Sequence, residues 1–159
     1  MKKILLFFCV VMIGLSAGCS TPKKEVQLEG RIKTVGNHVI VNGTSSLEEN
    51  AVITVQLKDI DSQQVEKETE VKTDKDGNYQ VQFVRDRLET QYELSVAFNP
   101  SEQDEDIKKI YGGEGENIAA SSIGFDEEYQ GIKLYDRILP IGEGSVGQKT
   151  NLSAQMPEY

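Results

Sequence analysis

One histidine, two cysteines and 26 carboxylates are the groups in this chain whose types could carry chemistry. A nucleophilic triad would have to be built on His38, the sole imidazole, and no Gly-x-Ser-x-Gly elbow occurs. His38 opens a short apolar run beside the turn signal Gly36-Asn37, so it reads as a surface or partly packed strand residue. Asp74, Asp76 and Asn78 alternate, a spacing at which side-chain oxygens could converge on a hard cation such as calcium. An EF-hand needs a 12-residue loop ending in Glu, and that context is missing. Asp and Asn also bond their own backbone in turns, which is the stronger reading here.

Gly142-Glu143-Gly144-Ser145-Val146-Gly147 spells G-x-G-x-x-G, the fingerprint of a dinucleotide-binding turn. Only 12 residues follow Gly147, too few for the rest of a βαβ unit, and Glu143 would face phosphate with its own negative charge. A carboxylate pair for glycoside hydrolysis could be drawn from the 26 acids, but an acid-rich surface mostly serves solvation. The patterns Asn42-Gly43-Thr44 and Asn151-Leu152-Ser153 match a glycosylation acceptor and are taken as chance. No cofactor is expected.

The residue with the clearest chemical assignment is Cys19. Lys2 and Lys3 open the chain, an uncharged stretch follows from Ile4 to Ala17, and Leu15-Ser16-Ala17-Gly18-Cys19 ends it with small residues. These are the three parts of a secretory signal. The uncharged run of about 14 residues would be ~21 Å long as a helix, short of the roughly 20 residues that span a bilayer. The end of the run resembles the lipobox of bacterial lipoproteins, with Leu15 one place further from Cys19 than in the commonest form. The resemblance implies cleavage before Cys19 and a diacylglyceryl group on its sulfur. Acylation by more than one chain anchors stably where a single chain is marginal. An ordinary signal peptide is the plainer alternative. A released leader peptide that itself acts as a signal is another.

This divides the chain into a signal peptide (1–18), a polar tether (19–25) and one domain (26–159). Loss of Lys2 and Lys3 leaves 15 basic residues against 26 acids, a net charge of −11. That balance excludes the basic footprint of a nucleic-acid binder and argues against lying flat on anionic lipid. Membrane contact then falls to the acyl group on Cys19. Cys9 leaves with the leader, so the exported domain has no disulfide and depends on apolar packing.

Within the domain, period-two alternation marks strands over Ala51–Lys58, Tyr79–Phe83 and Tyr92–Phe98. Weaker strands are expected at Val26–Val35, His38–Val41, Tyr129–Ile141 and Thr150–Met156. Gln64–Thr73 is polar enough to be an edge. Asp74–Asn78 is expected to close a hairpin onto Tyr79–Phe83, and Asn117–Phe125 is ambiguous. Asn99 and Pro100 suit an N-cap and the first position of one short helix ending near Gly112, with Ile107, Ile110 and Tyr111 as its apolar stripe. Its other face carries Glu102, Asp104, Glu105 and Asp106, free to meet a basic partner protein of the envelope; a solvated helix that merely covers a sheet edge is the plainer reading.

The expected fold is mainly β, an antiparallel sandwich with one short helix. The blocks Ala51–Leu57, Thr73–Phe83 and Tyr92–Val96 resemble the immunoglobulin-like and transthyretin-like modules of bacterial surface proteins, where a Thr-Asp-x-x-Gly-x-Tyr turn also feeds a core strand. The second half, with Asn99-Pro100, Gln103 and Tyr111–Asn117, resembles uncharacterised lipoproteins of low-GC Gram-positive bacteria. Neither resemblance brings catalytic residues. The function expected is a lipid-anchored, non-enzymatic binding or accessory module on the extracytoplasmic face of the cell membrane. An envelope hydrolase using two carboxylates is the alternative.

Overall fold

A computed structural model describes residues 22–142, 147–156 and 158. The leader and Cys19 lie outside the described residues, as do the middle four residues of the Gly142–Gly147 motif.

Alternation of apolar and polar residues builds two antiparallel sheets that pack face to face. The first hairpin is β1 (Leu28–Val35) and β2 (His38–Ser45). Its two-residue connection has Gly36 at φ 55°, the conformation that the first central position of a type II′ turn requires. The second hairpin is β3 (Val52–Asp59) and β4 (Val65–Lys72). Then come β5 (Asn78–Val84), β6 (Tyr92–Phe98), β7 (Phe125–Asp126), β8 (Gly131–Ile138) and β9 (Lys149–Asn151). One sheet has the order β5-β2-β1-β9 and the other β4-β3-β6-β8-β7. The first, second, fifth and ninth strands thus form one sheet and the third, fourth, sixth, seventh and eighth the other.

The core lies between the sheets. Ile32, Val39, Val41, Val81 and Phe83 come from one side, and Ile53, Val55, Leu94, Val96 and Ile132 from the other. Gly43 pairs with both Gly30 and Tyr79 across the strands. The Tyr79 ring fills the space over Gly43, where a Cβ would sit 2.1 Å from its Cζ atom. The Tyr79 hydroxyl then donates to the Glu29 carbonyl at 2.9 Å.

Two expectations are corrected. The segment Asp74–Asn78 does not close a hairpin: β4 and β5 belong to different sheets. The local turn is present, with the Asp74 carboxylate accepting from the Asp76 and Asn78 amides at 2.9 and 2.8 Å. The strand that leaves it pairs with β2, however, because Ser45 donates to the Gly77 carbonyl and Thr44 falls opposite Asn78. β4 does stand at a sheet edge, as its charge suggests.

The single helix is two pieces, a 3-10 turn at Pro100–Glu102 and α1 at Glu105–Tyr111. Asn99 caps the first piece by accepting from the Ser101 amide at 3.1 Å. The break falls at Gln103, whose buried side-chain amide is used elsewhere. It accepts from the Val52 N–H at 2.7 Å and donates to the Val52 carbonyl at 3.0 Å, acting as one more strand residue beside β3. Ile107 and Tyr111 then plug the end of the core, with Tyr111 edge-on to Phe98 at 5.1 Å. The ambiguous stretch after Asn117 packs over the same end as loop, burying Ile118 and Ser122. Lys24 is already fixed there, bonded through its backbone to Asn117 and Ala119.

Candidate functional site

The strand register sets two parallel rows of side chains on the outer face of the five-stranded sheet. One row runs Glu68, Gln56, Ser95, Tyr135, and the next Glu70, Thr54, Ala97, Lys133. In both rows β6 contributes the shortest side chain, so a groove of about 200 Å³ opens over Thr54, Ser95 and Ala97. Every residue of β6 is buried, including Glu93, Ser95 and Ala97, which alternation alone assigns to solvent. The long side chains of neighbouring strands cover this outer face; Lys58, for example, reaches Glu93 at 3.0 Å.

Glu102, from the 3-10 turn, and Tyr129, from the loop before β8, complete the walls. The acidic side is Glu68, Glu70 and Glu102. Glu68 accepts from Gln56 Nε2 at 2.7 Å, while the carboxylates of Glu70 and Glu102 have no hydrogen bond or ion pair among the described residues. On the opposite wall the Lys133 ammonium rests over the rings of Tyr129 and Tyr135, 5.7 and 5.4 Å from their centroids. Lys133 is therefore held by aromatic faces and not by the glutamates. Burial, and after it the negative charge of Glu102, push the Tyr129 phenol up to about 12, so it keeps its proton at neutral pH. On the floor, Ser95 is 5% exposed, and its hydroxyl has no hydrogen-bond partner among the described residues.

Of the four acids assigned to a partner, the structure brings only Glu102 into this groove. Asp104 pairs with Lys72 at 3.2 Å, Glu105 with Lys108 at 3.7 Å and Asp106 with Lys109 at 2.8 Å. Their carboxylates stay exposed, but each has a cation of its own.

The calcium candidates separate in the same way. Both oxygens of Asp74 are taken by N–H donors, including the Asn78 side-chain amide at 3.0 and 3.2 Å. Asn78 thus turns its donor end toward Asp74, the opposite polarity to a shared cation, and Asp76 is exposed. No group of three or more His, Cys, Asp or Glu side chains is placed to hold a metal ion among the described residues. His38 is exposed on the other sheet, 2.8 Å through Nδ1 from Gln82 Nε2. Beyond Gly147 the chain enters β9 and no helix, so the glycine pattern lacks the helix a phosphate site needs.

One carboxyl, Asp136, is held above the ordinary carboxylate range, by burial. It is committed to the Thr150 hydroxyl and the Arg137 amide.

A wider depression of about 980 Å³ includes Arg31, Asn42, Gln80 and Asp74 in its lining. Its buried polar side chain, Tyr79, is already bonded to Glu29. The groove over Ser95 is the smaller of the two and the one whose buried polar side chain has no hydrogen-bond partner among the described residues. Sequence reasoning missed Ser95, Ala97 and Tyr129. The one signal for them is a pair of short residues at alternate positions in an otherwise bulky strand. Compared with known proteins, the chain matches no family model, no curated protein and no solved structure.

Proposed function

We propose that the chain is a lipoprotein, anchored through Cys19 on the extracytoplasmic face of the cell membrane. Its sandwich serves there as a non-enzymatic binding or accessory module of the envelope. The observation that carries this reading is the order of parts at the N-terminus: a basic start, an uncharged run too short to span, and Ala17-Gly18-Cys19. Only four residues, Ser20 to Lys23, separate the acylated Cys19 from Lys24, where the sandwich begins to hold the chain. Fully extended, the chain from Cys19 to Lys24 reaches roughly 17 Å, so the end carrying α1 stays close to the lipid surface. The acidic balance of the exported part keeps the sandwich itself off anionic headgroups.

Crosslinking in intact cells tests this reading. The wild-type chain should yield specific crosslinked partners in the membrane fraction. The Cys19→Ala variant, released or left as uncleaved precursor, should lose them while its domain stays folded. A folded variant that retains every partner and its membrane location contradicts the proposal.

A further inference from the structure

The groove over Ser95 has the chemistry to take one kind of group. Its acidic wall holds three glutamates, and the one cation in its lining, Lys133, is placed on tyrosine rings across the groove. The acidic side therefore lacks a counter-ion among the described residues. At the bottom Ser95, a residue only 5% exposed, offers the groove a hydroxyl with no hydrogen-bond partner among the described residues. A volume of about 200 Å³ lies below the roughly 300–1,000 Å³ of a site for a drug-sized ligand. It suits the head of one side chain.

We infer that this groove receives the cationic head of an arginine or lysine side chain presented by a basic peptide segment of a partner protein. The inference rests on the binding-module reading and gives that module a partner chemistry and a location. In this arrangement Glu70 and Glu102 flank the cation from β4 and from the 3-10 turn. Glu68 is steered by Gln56, and the Ser95 hydroxyl accepts an N–H from below. A guanidinium fits better than an ammonium, because its fork can donate to a carboxylate and to Ser95 at once. Asp104, Glu105 and Asp106 contribute only long-range attraction, since each already has a lysine.

The test is an amide chemical-shift titration of the isotope-labelled full chain in nonionic detergent. The probes are a capped Gly-Arg-Gly peptide, the same peptide with lysine, and the same peptide with neutral citrulline. The arginine probe should shift the amides of Thr54, Ser95, Ala97 and Tyr129 saturably, the lysine probe more weakly and the citrulline probe not at all. Replacing Glu70 and Glu102 together by Gln should weaken the arginine probe about five- to tenfold, and Ser95→Ala about threefold. The pair Glu105→Gln with Asp106→Asn removes the same charge from α1 and should change binding by less than about twofold. Shifts spread over the acidic surface, lost equally with either pair of variants, would mean general charge attraction and overturn the inference. Groove amides that stay silent at millimolar probe would overturn it too. Either failure leaves the anchored module standing if Cys19-dependent crosslinks persist; loss of those crosslinks in a chain whose groove still titrates strikes the module reading alone.

Discussion

Gln103 and Gln148 do with side-chain amides what a further strand would do with its backbone. Gln103 extends the pairing of β3 at Val52. Gln148 accepts from the Leu139 amide at 3.0 Å and donates to the Arg137 carbonyl at 2.6 Å, while its own backbone bonds to Thr34 of β1. Each therefore joins parts of the sandwich that lie far apart in the chain. Replacing Gln103 by Leu keeps the volume but leaves the Val52 N–H and carbonyl without partners at a partly buried position. Urea denaturation should show a loss of about 1–3 kcal/mol, and the Val52 amide should exchange faster with solvent. Unchanged stability would mean that water satisfies Val52. Nothing local in the sequence announces this role: Gln103 reads as one polar residue in an acidic helix, and its partner is 51 positions away.

At the scale of elements, strands with strict alternation were legible and connections were not. β3 and β5 alternate cleanly, and their inward residues are the core. The turn Asp74–Asn78 was legible as a turn, because Asp74 bonds its own following amides whatever comes next. Whether the next strand returns to β4 or crosses to β2 depends on pairing with Thr44, which turn chemistry does not encode. The helical segment was legible through Asn99, Pro100 and its apolar stripe, but its break at Gln103 was set by β3. Its function follows from which face is buried. Ile107→Ala should cost about 2–5 kcal/mol by urea denaturation, because Ile107 helps close the end of the core. Neutralising Asp104, Glu105 and Asp106 together should stay within about 1 kcal/mol of wild type, since exposed ion pairs contribute little. A larger effect from the acids than from Ile107 would reverse the assignment of this segment as a plug.

For the whole molecule, the sandwich could be anticipated from spacing, whereas the groove could not. The groove needs Glu68 and Glu70 from β4, Thr54 and Gln56 from β3, Ser95 and Ala97 from β6, Lys133 from β8, Glu102 from the 3-10 turn and Tyr129 from the loop before β8. These meet only through register across three strand pairs, and of the acids proposed from sequence Glu102 alone belongs to it. The proposed anchor runs the other way: it rests on contiguous residues and on no packing argument. The central claim is that Cys19 carries lipid and the sandwich works from that tether. The most direct measurement is metabolic labelling of producing cells with a fatty acid, comparing wild type with Cys19→Ala. Wild type should carry the label and partition into detergent; the variant should carry none and leave the detergent phase or persist as precursor. Label retained on the Ala variant, or a wild-type chain that never takes it up, would contradict the account.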